Sequence, residues 1–144
     1  MKFDPDNEVV KLCALGMEFE GKGEKKKAAK LFQKAWKVSD TYFDKYISAH
    51  YVARHQKSVA EKLQWDKTAL GFALKIDNKT IKGILPSLYL NIGKCYEDLK
   101  DFDTARTHYM LGKSYFDYLP TDGYGNMIKA GVEAGMERVS NTAD

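Results

Sequence analysis

Proline is scarce in this sequence, three in 144 residues, and strict apolar–polar alternation is absent. Together these count against strands and predict an all-α chain. The two cysteines, Cys13 and Cys95, are too few to staple a domain of this length. Both stand at helical positions among apolar neighbours, which predicts reduced packing residues. No apolar run approaches the roughly 20 residues of a membrane span. The opening Met1-Lys2-Phe3-Asp4-Pro5 lacks the apolar core of a secretory signal, so a cytoplasmic location is expected.

Chemistry-bearing motifs are missing as well. There is no H-E-x-x-H, no paired C-x-x-C, no aspartate-rich calcium loop and no serine or cysteine in a nucleophile elbow. His50 and His55 are five residues apart and point to different sides of a helix. Gly21-Lys22-Gly23-Glu24-Lys25-Lys26-Lys27 lacks phosphate-loop spacing and reads as an inter-helix turn. Gly123-Tyr124-Gly125-Asn126 reads as the start of a helix. The expectation is therefore a protein that is not an enzyme and has no cofactor and no metal. Arginine is limited to Arg54, Arg106 and Arg138, which disfavours base-specific reading of nucleic acid.

What is present is ordinary for a globular chain: 44% apolar residues, 30% charged and a net charge of +3. The length suits one domain, residues 1–144. The stretch Pro86–Gly112 organises it. Tyr89, Ile92, Gly93, Tyr96 and Leu99 recur at three- and four-residue spacing on one helical face. Asp101-Phe102-Asp103 interrupts the pattern, and Ala105, Tyr109 and Gly112 resume it on a second helix. Residues 77 positions earlier repeat the pattern: Leu12, Leu15, Gly16, Phe19, Ala28, Phe32 and Ala35 fall on Tyr89, Ile92, Gly93, Tyr96, Ala105, Tyr109 and Gly112. Seven size-matched coincidences at one offset make an internal repeat.

In chain order, a first helix is expected from about Asn7 to Glu20, capped by Asp6 or Asn7, with Leu12, Leu15, Gly16 and Phe19 inward. The second, from near Glu24, carries Ala28, Leu31, Phe32, Ala35 and Val38 inward. Its outer face holds Lys30, Lys34 and Lys37, within a lysine cluster that begins at Lys22. A degenerate pair follows. Tyr42, Phe43, Tyr46, Ile47, His50 and Ala53 share one face of the first helix, and Ser58 with Glu61 forms a capping box for the second. That second helix carries Leu63, Leu70, Ala73, Leu74 and Ile76, with Asp66 where the repeat expects alanine. Asp77 to Leu85 is extra length, either a loop or a prolongation of the neighbouring helices. Pro86 favours a helix start near Leu85 over a kinked start near Thr80. A last helix from about Tyr124 to Val139, with Met127, Ile128, Val132, Met136 and Val139 apolar, covers the end.

The stretch from Tyr89 to Gly112 resembles the tetratricopeptide repeat, W-x-x-L-G-x-x-Y followed by A-x-x-x-F and A. Tyr89 takes the tryptophan position and Gly112 the last alanine. The run Leu119–Gly125 leading into the last helix also resembles small stand-alone bacterial proteins of this family. The resemblance implies an α-α superhelix of three antiparallel helix pairs, residues about 7–40, 41–77 and 80–119, with a capping helix at about 124–139. It also implies a protein-interaction scaffold whose first helices line a concave groove. Carried over position by position, that groove holds Val10, Cys13, Met17 and Glu20, then Ser48, Tyr51, His55 and Ser58, then Ser87, Leu90, Lys94 and Glu97, with Asn91 at the rim. The carboxylate clamp of the chaperone-binding members is absent, because its places hold Cys13, Met17, Val52, Ser87 and Asn91. A protein or peptide partner is thus expected. The alternatives are a homo-oligomer, whose groove or terminal face its own copy fills, and RNA or an acidic partner on the lysine face.

Overall fold

The computed structural model describes residues 4–140. Seven α-helices make up the architecture among them: α1 (Glu8–Gly21), α2 (Lys25–Lys37), α3 (Tyr42–Ala53), α4 (Val59–Ala73), α5 (Leu85–Asp98), α6 (Phe102–Lys113) and α7 (Gly123–Ser140). No strand occurs among the described residues, and the fold class is all-α. The chain packs as two compact units, one ending at Ile76 and the other beginning at Asp77.

In the first unit α1 packs on α2, α3 on α4, and α3 also on α2 and α1. Asn7 starts α1. Its side-chain oxygen accepts from the Val9 and Val10 amides at 2.8 and 3.1 Å, and its amide donates to Asp44 Oδ1 at 2.9 Å. Asp44 is buried at the start of α3, where it also accepts from the Asp40 and Thr41 amides. Burial alone would raise this carboxyl's pKa; the hydrogen bonds from Asn7, Asp40 and Thr41 outweigh it and lower the value. The full capping box lies here, between Thr41 and Asp44. At Ser58 only half of the expected box forms. The hydroxyl oxygen accepts from the Glu61 amide at 3.1 Å, but the Glu61 carboxylate accepts the Ser58 hydroxyl instead of reaching the backbone.

The core of this unit follows the repeat with exceptions. Val9, Leu12, Cys13 and Gly16 of α1 meet Ala28, Phe32 and Ala35 of α2. Leu15 is exposed, because the buried stripe passes through Cys13 instead. Val38 and Leu74, both expected inward, are exposed; each is the residue that caps the end of its helix, beyond the reach of the partner. Asp66 is 3% exposed, and Lys62, one turn earlier, reaches it at 2.6 Å. That pair gives the carboxylate at an alanine position a charged partner.

In the second unit the extra length is a 3₁₀ turn, Lys79–Gly83, capped by Asn78, and α5 then starts at Leu85 with Pro86 in its first turn. Here α5 packs on α6, and α7 packs on both. Tyr109 is fully buried among Ala105, Val132 and Val139. The closest approaches need glycine. A Cβ at Gly93 would lie 2.7 Å from the Tyr109 ring, and a Cβ at Gly16 would strike Phe32, the residue 77 positions before Tyr109. Met127, one of the apolar residues of α7, is 61% exposed; Gly125 and Gly135 take buried positions beside Ile128, Val132 and Val139. A Cβ at Gly125 would overlap the Pro120 carbonyl, so that glycine lets α7 leave its turn.

Candidate functional site

The two units treat the same acidic position alike. In the first, Glu20 at the end of α1 accepts from His55 Nε2 at 2.7 Å and pairs with Arg54 at 3.3 Å. In the second, Glu97, 77 residues on, accepts from Tyr109 Oη at 2.7 Å and from Arg138 of α7 at 2.8 and 3.1 Å. Burial tends to raise the Glu97 pKa, but the hydrogen bonds from Arg138 and Tyr109 prevail and lower it. The same contact, with burial, pushes the Tyr109 hydroxyl well above its ordinary value. These groups stabilise helix junctions; their charges are spent inside the protein.

The residues expected to line a binding surface divide on the same physical ground. Cys13 is 3% exposed and unpaired in any disulfide. It is a core residue, and burial raises its thiol to about 12. Tyr51 and His55 both stack on Phe32, with ring centroids 5.1 and 5.6 Å away, and Arg54 lies over Tyr51. Leu90 packs on the Tyr109 core, 3.0 Å from where a Gly131 Cβ would be. Ser48 is buried and shares hydrogen bonds with Ser39 and the Asp44 carbonyl.

What stays open is shorter. In the first unit Met17 is 45% exposed and Val10 half-buried. In the second, Ser87, Asn91 and Lys94 sit at successive turns of α5, so they share a face. Ser87 donates to the Ile84 carbonyl, and Lys94 pairs with Asp98 one turn on. Asn91 is half-buried and makes no hydrogen bond with any described residue. Its amide presents one acceptor and two donors, the complement of a peptide backbone.

Both tryptophans went unnoticed in the sequence. Trp36 and Trp65 meet edge to face at 5.1 Å, joined by Phe72, which stacks on Tyr42. Neither lies on the repeated stripe, and no sequence signal pairs α2 with α4 at these positions.

Against known families, residues 86–115, which are α5, α6 and the turn between them, match the tetratricopeptide repeat. That helix pair is a tetratricopeptide repeat. The turns show the repeat in the first unit too. In the α1–α2 and α5–α6 pairs the main chain closes through the same bonds 77 residues apart: Gly23 to Glu20 and Lys100 to Glu97, both 3.0 Å, then Glu24 to Phe19 and Asp101 to Tyr96, both 2.9 Å. No curated protein and no solved structure matches the chain. A repeat of this kind suggests a protein-interaction or scaffold module. Among the described residues no group of His, Cys, Asp or Glu could hold a metal ion, and no helix is long and apolar enough to cross a membrane.

Proposed function

We propose that the protein is a non-catalytic interaction module whose α5 face, Ser87, Asn91 and Lys94, takes a peptide segment of a partner protein. The observation that carries this reading is the uncommitted amide of Asn91, held on a rigid helix between a hydroxyl and an ammonium group. Leu90 and Glu97 are engaged by α7, so the polar row beside them is fixed in place and does not collapse onto the core. Asn91 would bond to backbone amide and carbonyl groups, and Lys94 would exchange its exposed bond to Asp98 for a ligand carboxylate.

Selection from a random peptide library on the purified protein tests this. Enriched peptides should lose at least tenfold in affinity on Asn91→Ala/Lys94→Ala, a difference of about 1.4 kcal/mol, with the melting temperature unchanged. Peptides that bind the double variant as tightly would place the site elsewhere. A second reading, self-association, draws on α7, where Tyr124 and Met127 remain 47% and 61% exposed. Sedimentation equilibrium separates it: Met127→Glu should dissociate any oligomer held by that face.

A further inference from the structure

The lysine face of α2 is unexplained by packing. Six of the helix's thirteen residues are lysine. Lys26, Lys30, Lys34 and Lys37 lie one turn apart and span about 16 Å along the axis. Only Lys27 of the six has a carboxylate partner among the described residues, Glu24 at 3.2 Å. Lys25, Lys26 and Lys27 crowd the first turn, where the helix dipole is positive and acidic residues are absent. Like charges at three- and four-residue spacing oppose the helix further.

The fold does not demand this. The second copy of the same helix, α6, keeps the packing residues Ala105, Tyr109 and Gly112. At the four ladder positions, however, it has Asp103, Thr107, Leu111 and Ser114. A solvated helix face of this repeat thus needs no lysine at all. Where a sequence breaks local rules with no structural return, function is the usual reason.

We infer that the outer face of α2 is a docking surface for a carboxylate-rich protein segment. Lys30, Lys34 and Lys37 line an open depression with Ala29 and Gln33 as its other walls. Four ammonium groups complement aspartate or glutamate side chains over the same length, and Gln33 can bond to the segment's backbone. The other polyanions fit less well. The face has no aromatic side chain on which bases could stack. It has no arginine to grip phosphate in two places. Its one exposed large apolar side chain is Val38 at the helix end, too little to anchor in a lipid surface. This site is separate from the α5 face, so either can fail without the other.

The test uses the full chain and a fluorescein-labelled twelve-residue glutamate-rich peptide, read by anisotropy. Binding is expected at low salt and should weaken at least about tenfold between 50 and 200 mM salt, as screening requires. Lys30→Glu/Lys34→Glu/Lys37→Glu should abolish it, and the glutamine triple should weaken it. Lys79→Glu/Lys113→Glu/Lys129→Glu, which moves the same charge elsewhere, should retain affinity within twofold. Circular dichroism should be the same for all variants. The inference is overturned if the wild type does not bind, if both glutamate triples lose affinity equally, or if oligouridine RNA or phosphatidylserine vesicles bind the face more tightly than the peptide.

Discussion

Gly23 and Lys100 hold the same left-handed backbone, φ 79° and 68°, at equivalent places in turns 77 residues apart. The turn is built from the same hydrogen bonds in both copies. Only the first has the residue that suits it, since a Cβ in this region costs about 1–2 kcal/mol. Lys100→Gly should therefore stabilise the protein by about 0.5–1 kcal/mol after the entropy of the added glycine is counted. Gly23→Ala should destabilise it by about 1 kcal/mol. Urea midpoints of the two variants check both signs.

Gly93 and Tyr109 form a contact that leaves no room for a methyl group. The ring cannot retreat easily, because its hydroxyl is bonded to Glu97 and its other side meets Gly135. Gly93→Ala should cost about 1–3 kcal/mol. Gly71, in the last turn of α4 with nothing within 4 Å of where a Cβ would lie, is the control: Gly71→Ala should stabilise by about 0.5–1 kcal/mol. Equal effects at the two sites would contradict the close crossing.

His50 supplies a pH dependence. Its ring is packed beside Tyr51, its Nδ1 is buried without a partner, and its pKa falls from 6.5 to about 4. The causes are burial first, then the positive charges of Arg54 and Lys62. The folded value lies below the unfolded one, so the neutral ring's contribution is complete above pH 6.5 and lost as the pH falls through 4. Glu97, with its lowered pKa, loses its contribution in the same direction at more acid pH. Stability should thus decline between pH 6.5 and 4, and His50→Leu should flatten that slope. A slope unchanged in the variant would assign it to other groups.

Leu90 and Tyr51, expected to line the groove, are half-buried, Leu90 against the Tyr109 core and Tyr51 against Phe32. Leu90→Ser should cost about 2 kcal/mol or more, and Tyr51→Ser a comparable amount. Exposed sites would cost within about 0.5 kcal/mol. Thermal unfolding of each variant distinguishes the two outcomes.

The legible part of this fold was the part set by local spacing. A small residue must sit beneath an aromatic ring where two helices of a pair cross. Gly16 with Phe32 and Gly93 with Tyr109 repeat that requirement at fixed distance. Pro86 likewise marked the start of α5, and Asn7 the start of α1. What could not be read depends on which neighbour covers which face. Leu15, Val38, Leu74 and Met127 have the right periodicity but lie past the edge or end of the helix that would bury them. Cys13 is buried, and Leu90 is half-buried, against neighbours that the spacing of α1 and α5 does not disclose. Asp66 could have been anticipated, because Lys62 precedes it by one turn. The pairing of Trp36 with Trp65 could not.

The reading of the protein as an interaction module rests most heavily on the α5 face. A photo-crosslinking amino acid placed at Asn91 and, separately, at the exposed Thr107 of α6, in cells of the native host, tests it most directly. The account predicts discrete protein adducts at position 91, diminished by Lys94→Glu, and none of those adducts at position 107. Absence of adducts at 91, or the same adducts from both positions, would contradict it.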